Sequence, residues 1–347
     1  MSDFYEHFLR HGRRCFVIAE AGVNHNGDLK TALNMIEVAK RAGADAIKFQ
    51  TFDPDELVSK SAPMAEYQKK NLNGNSTQHE MLSNIKLKYT DHAELINFCK
   101  ELDIEFLSTP FENGSVDFLE SLGVRAFKVG SGEITNLPLL GHVAEKGKAI
   151  ILSTGMSNMD EVGAAVREIE KYQNTKIVLL HCLSQYPAPF SEMNLRAIVS
   201  LRKKFGYPVG LSDHTTGIEV GIASIALGAS VIEKHFTLDK LMRGPDHLAS
   251  LEPDELEAMI KGIRNVELAL GDGEKTMMPS ERDTARVARK SIVAGKFIPV
   301  GSQIEKADLK FKRPGTGIPP SELHSVIGKI AKVEIDQDEV IQMDQLC

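Results

Sequence analysis

The chain has 347 residues, 42% hydrophobic and 26% charged, a composition that suits one large globular domain and one small one. A formal net charge of -7, with no basic stripe, argues against non-specific nucleic-acid binding, so an anionic substrate would need a locally basic pocket. No apolar run of about 18 residues occurs, the stretch MSDFYEHFLRHGRRC lacks a signal-peptide core, and Cys15, Cys99, Cys182 and Cys347 form no Cys-x-x-Cys pair. A cytoplasmic protein with free thiols and no membrane span is therefore expected.

Eight short apolar segments alternate with amphipathic helical ones. In chain order the expected strands are CFVIAEAG (15–22), DAIKFQTF (45–52), EFLSTPF (105–111), AFKVGSGE (126–133), AIILSTGM (149–156), KIVLLHCLSQYP (176–187), YPVGLSDH (207–214) and SVIEKHF (230–236). Among the helices between and after them, LKTALNMIEVAKRAG should end at Gly43, DHAELINFCKELD should be capped by Asp91, and EPDELEAMIKGIRNVELAL should start at Pro253. Eight strand–helix units over residues 1–270 predict an α/β fold, a (β/α)8 TIM barrel. A doubly wound open sheet is the rival, but no Gly-x-Gly-x-x-Gly follows a strand. Residues 53–90 are too long for a simple connection and read as an insertion over the C-terminal mouth. Residues 271–287 read as a polar linker, and 288–347 as a small β-rich domain.

Every expected strand ends in polar residues, and barrel enzymes build their sites at those ends. Adjacent strands lie about 5 Å apart, so His214 and His235, on neighbouring strand ends, can share one divalent ion. Alone, either imidazole would more simply be hydrogen-bonded at the rim. Two histidines without a cysteine suit Mn²⁺, Mg²⁺ or Co²⁺ better than structural zinc. Lys48 and Lys128 sit mid-strand among apolar residues and, with Thr109, Ser131, Ser153 and Ser212, can cradle an anion. The bland alternative pairs each lysine with a carboxylate, and a Schiff-base lysine is a third option. Glu233 and Lys234 are expected as rim or supporting groups. Arg313, in KRPGTG, stands in a rigid loop.

The stretches IAEAGVNHNGD, IKFQTF, FLSTPF, FKVGSGE, ILSTGM, HCLSQYPAPF, GLSDHT, EKHFTLD, GPDHLASLEPDEL and FKRPGTG cover nearly the whole chain in order. In them the chain resembles the sialic acid synthase family. The resemblance implies a barrel followed by an antifreeze-like (SAF) domain, in a domain-swapped homodimer. It implies a transferase that condenses phosphoenolpyruvate with N-acetylmannosamine and water, giving N-acetylneuraminate and phosphate. The alternative is a legionaminic acid synthase using 2,4-diacetamido-2,4,6-trideoxymannose; a Schiff-base lyase is a more distant one. It implies that His214 and His235 bind the divalent ion, Mn²⁺ first. Lys48, Thr109, Lys128, Ser131, Ser153, Ser184 and Ser212 would then hold phosphoenolpyruvate, with Ser184 standing where one form of the family has Asn. Glu20, Gln50, Glu133, Tyr186 and Asp246 would face the sugar, and Arg313 would reach it from the partner chain. Glu20 or Glu133 would move protons.

Overall fold

The structure is a computed structural model that describes residues 4–6, 14–72 and 76–347. Most of the N-terminal stretch expected to lack a leader, and residues 73–75 of the insertion, lie outside the described residues. The chain divides into two units, Met1–Gly271 and Asp272–Cys347.

The first unit contains eight strands: β1 (Phe16–Gly22), β2 (Ala46–Thr51), β3 (Glu105–Pro110), β4 (Ala126–Val129), β5 (Ala149–Ser153), β6 (Ile177–Cys182), β7 (Val209–Asp213) and β8 (Val231–His235). They form one sheet in the order β3-β2-β1-β8-β7-β6-β5-β4, and every ladder is parallel. β3 and β4, at the two ends of that order, lie against each other, which closes the barrel. The strands stop earlier than the sequence suggested. β4 ends at Val129 and a 3-10 turn takes Ser131–Glu133, while β6 ends at Cys182. The polar residues beyond those points leave the ladder and become loops.

The helices follow from local chemistry. The helix Leu29–Ala42 begins where Asp28 accepts from the Thr31 amide at 2.8 Å and ends at Gly43, whose φ of +89° a larger residue adopts only with strain. Its Ala32, Met35, Ile36 and Ala39 face is buried against the sheet layer. Pro253 opens the helix Pro253–Leu270 as expected. Asp91 does not cap its helix. It ends a 3-10 turn, Tyr89–Asp91, has helical φ and ψ, and makes no capping bond to the helix His92–Glu101.

The two-residue period of the strands splits the core in two. Ile18, Ala46, Leu107, Ala126, Ile151, Val178, Leu180 and Val231 pack inside the barrel, with Phe4 and Tyr5 in the same cluster. Val17, Ala19, Ile47, Phe49, Phe127, Leu152 and Ile232, on the other parity, pack against the helices. Asp213 and Lys234 share that outward parity. Lys234 Nζ lies 2.8 Å from Asp213 Oδ2 and donates to the Thr215 carbonyl at 2.6 Å, with both charged side chains fully buried.

Residues 53–72 and 76–85 cap the barrel mouth with three short helices, Pro54–Leu57, Glu66–Leu72 and Gln78–Ile85. Their apolar side chains form a separate cluster, in which Val23, Phe52, Met64, Met81 and Leu82 are buried. Thr77 and Glu80 close a capping box at the third helix.

The second unit has an antiparallel pair, β9 (Ser291–Ala294) with β10 (Leu309–Lys312), and a core that includes Ile292, Ile298, Ile304, Val326, Ile335 and Ile341. Part of the expected linker is ordered, because Arg282–Ala288 forms a helix. Among the described residues no helix is long and apolar enough to cross a membrane, and all four cysteines are free.

Lys234→Ala should cost about 3–5 kcal/mol of stability in chemical denaturation, because it strands a buried carboxylate. The double change Lys234→Met with Asp213→Leu should recover only part of that loss, because Asp213 Oδ1 also accepts from the buried Thr215 amide and hydroxyl.

Candidate active site

The residue two positions beyond each apolar plug residue lands at the barrel mouth. Ile18 leads to Glu20, Ala46 to Lys48 and Gln50, Leu107 to Thr109, Ala126 to Lys128, and Ile151 to Ser153. On the other three strands Leu180 leads to Cys182 and Ser184, Gly210 to Ser212 and His214, and Val231 to Glu233 and His235. These residues line a cavity of about 570 Å³, together with Ser131 and Tyr186. Strand register fixes their neighbours. Glu20 pairs in register with Lys48 on one side and His235 on the other, and Ser212 with Glu233. The other polar strand-end residues have the wrong parity. Ser108 bonds Thr51 at 2.7 Å, Thr154 bonds the Leu180 carbonyl at 3.0 Å, and His181 bonds the Met193 carbonyl at 2.6 Å.

The floor of the cavity is a buried cluster of four ionisable groups. Lys48 Nζ lies 2.9 Å from Glu20 and 3.8 Å from Glu233, and Lys128 Nζ lies 3.7 Å from Glu233. Lys48 also donates to Thr109 Oγ1 and Lys128 to Ser153 Oγ, each at 2.8 Å. Burial drives the Glu20 carboxyl upward, with Lys48 opposing and the Glu233 charge adding to the rise. Burial acts on Glu233 too, but Lys128, Lys48 and the Ser212 hydroxyl outweigh it and hold that carboxyl low. Burial lowers the Lys128 ammonium as well, with Glu233 opposing, so the two lysines and two carboxylates form one mutually dependent charge set. Two lysines on one cavity are the local cations that an acidic chain needs to meet an anion. Glu233 was expected at the rim or as a supporting group; the strand's period turns it into the cavity, where it supports both lysines.

His214 and His235 face each other with ring centroids 5.4 Å apart. His214 Nδ1 bonds the Leu183 carbonyl at 2.9 Å, which leaves Nε2, 3.5 Å from Ser212 Oγ, for a ligand. Burial, with His214 and Lys48 nearby, pushes His235 well below its ordinary value, so it is a neutral imidazole; its Nδ1 is buried without a hydrogen bond. Glu20 Oε2 and Asp246 Oδ1 are buried without one as well. The neutral His235 imidazole and the open Nε2 of His214, beside orphaned carboxylate oxygens, fit a hard or borderline divalent cation. Among the described residues no three His, Cys, Asp or Glu side chains converge as a closed cage. Substrate or water would complete such a coordination shell.

Tyr186 lies beside the pair, 4.1 Å from the His214 ring and 5.7 Å from that of His235. Tyr67, from the cap helix Glu66–Leu72, stacks on it at 5.3 Å. Burial raises the Asp246 carboxyl to about 6, against His214 and the Tyr67 hydroxyl, which lower it. Gln50, Tyr186 and His235 also line an adjoining cavity under the cap, where Glu133 and Asp246 join them. Glu133 is half-buried and accepts from Asn136 at 2.7 Å. Ser131 Oγ accepts from the Gly155 amide at 3.0 Å. Ser184 Oγ and His214 Nδ1 each lie 3.8 Å from Cys182 Sγ. Arg313 is an exposed residue of the second unit. The expectations missed Cys182 and Tyr67 as site residues. The inward parity of Cys182 could have signalled the first; Tyr67 depends on how the cap packs.

Residues 35–275 match the NeuB family and residues 289–346 match the SAF domain. The N,N'-diacetyllegionaminic acid synthase of Legionella pneumophila is 48% identical over 90% of this chain and 89% of its own length. That of Campylobacter jejuni is 47% identical over 95% and 99%. The crystal structure of the N-acetylneuraminic acid synthetase from Leptospira borgpetersenii, in complex with citrate, superposes with a TM-score of 0.70 at 34% identity, over 79% of this chain and 90% of that one. The chain belongs to the NeuB family, the sialic acid synthase family, and is an enzyme that makes a nonulosonic acid.

Proposed function

We propose that this enzyme condenses phosphoenolpyruvate with 2,4-diacetamido-2,4,6-trideoxymannose and water, releasing phosphate and forming N,N'-diacetyllegionaminic acid. The observation that carries the chemistry is the pair Lys48 and Lys128, ringed by hydroxyls beside His214 and His235. The names of the two bacterial relatives support the diacetamido sugar over N-acetylmannosamine, the sugar expected from the sequence.

The anion and the aldehyde have separate places. Lys48, Lys128, Thr109, Ser131, Ser153, Ser184 and Ser212 offer cations and hydroxyls to phosphate and carboxylate oxygens. The open-chain sugar lies toward Gln50, Glu133, Tyr186 and Asp246, with its aldehyde at the histidines. C3 of phosphoenolpyruvate attacks the aldehyde carbon, a C–C bond forms, and C2 becomes an oxocarbenium. Water adds to C2 and loses a proton. The intermediate then breaks its C–O bond and phosphate leaves with the electron pair. A divalent cation held by His214 and His235, with Mn²⁺ first and Mg²⁺ or Co²⁺ as options, supplies Lewis acidity toward the aldehyde oxygen when bound. Glu20 is placed to give the new alkoxide its proton. Burial raises its carboxyl to about 7, with Lys48 opposing, and one of its oxygens is buried without a hydrogen bond. We also propose a homodimer in which Arg313 serves the partner's sugar site.

The decisive assay is phosphate release by chelator-treated protein, with and without Mn²⁺, given phosphoenolpyruvate and either sugar. Mn²⁺-dependent release that requires the diacetamido sugar is expected. Release with N-acetylmannosamine alone would refute the sugar assignment, and borohydride trapping of a lysine with pyruvate would refute the mechanism. Glu20→Gln should lower kcat by roughly 10²–10⁴-fold with little change in KM for phosphoenolpyruvate; an unchanged kcat would remove Glu20 from proton transfer.

A further inference from the structure

A second cavity, of about 220 Å³, lies under the cap beside the reacting pocket. One wall is shared with the active site, through Gln50, Tyr67, Phe111, Tyr186 and His235. The other wall has different chemistry. Val23, Leu57, Val58, Met81, Leu82 and Ile85 line it, all members of the apolar cluster that holds the cap down. Two primary amides, Gln68 and Gln78, stand among them. Gln68 Oε1 is occupied by the Ala65 amide at 3.0 Å.

Nothing in the condensation uses this wall. The aldehyde reacts at the histidines and phosphoenolpyruvate lies over the lysines. Because His235, Tyr186 and Gln50 border both cavities, a sugar with its aldehyde at His235 can run its distal carbons past Tyr186 into the second one, where Asp246 stands. An aliphatic wall carrying amides and no cation gains little from a phosphate or a lone hydroxyl. It matches a small neutral group with one amide and one methyl.

We propose that this cavity is the subsite for the 4-acetamido group of the sugar, with Gln78 bonding its amide and the Val58–Leu82 wall covering its methyl. The inference rests on the condensation proposed above and adds which residues select the sugar. Such a site discriminates because a substrate with a 4-hydroxyl leaves the amide partner unpaired and the apolar wall uncovered.

The test uses the full chain with Mn²⁺ and saturating phosphoenolpyruvate, and measures phosphate release against 2,4-diacetamido-2,4,6-trideoxymannose and N-acetylmannosamine. Gln78→Leu removes the amide; Val58→Phe fills the cavity from its half-buried side. Each should raise KM for the diacetamido sugar roughly ten- to a hundredfold. KM for phosphoenolpyruvate, the thermal midpoint and any turnover of N-acetylmannosamine should stay as in the wild type. Wild-type activity on the diacetamido sugar that both variants retain, or that they lose equally for both sugars, overturns the subsite alone. Wild-type release with neither sugar overturns the condensation, and the subsite falls with it.

Discussion

The structure depends most on a buried set of opposite charges. Lys48, Lys128, Glu20 and Glu233 stand in a barrel mouth where each, alone, would pay a large desolvation cost. They are tolerable because each ammonium lies within 4 Å of a carboxylate and bonds a hydroxyl as well. The arrangement brings two lysines to one cavity. Burial pushes the Glu20 carboxyl and the Lys128 ammonium toward their neutral forms while the lysines hold Glu233 low, so the charge in the mouth depends on how the four groups share protons. A hydrophobic replacement of the set would pack as well and bind nothing.

That set exists because the strands keep period two to their very ends. The same alternation that packs Ile18, Ala46 and Val231 inside the barrel carries Glu20, Lys48 and Glu233 into its mouth. It also gives the dipeptides Asp213-His214 and Lys234-His235 two jobs each. The histidines face the cavity, while Asp213 and Lys234 turn behind the sheet and lock β7 to β8 with a fully buried ion pair. The separation of the two imidazoles is therefore fixed by a contact that no substrate can reach.

Parity also explains what the sequence revealed and what it hid. The eight strands, the barrel, the two lysines and the two histidines were legible, because apolar segments with interrupting charges survive any reasonable choice of strand end. Whether Glu233 would be a rim or a supporting group stayed open, because strand ends were read as one polar zone rather than as two faces. Ser108 and His181, on the other face, bond Thr51 and the Met193 carbonyl instead. Asp91 has the right residue type for a cap, but a preceding 3-10 turn fixes its backbone in the helical region. Tyr67 and the apolar side cavity depend on the packing of residues 53–85 over the mouth, which no local pattern encodes.

The division between barrel and cap has a physical logic. Glu20, Lys48, Lys128 and Glu233 hang from strands whose neighbours fix them on both sides, and a shift there would disturb the charge set. The cap is held by its own small apolar cluster and short capped helices, so its side chains can vary without moving Lys48 or His235. In the function proposed above, a cavity whose far wall belongs to that cluster would set the sugar while the carbon–carbon bond is made over the strand ends.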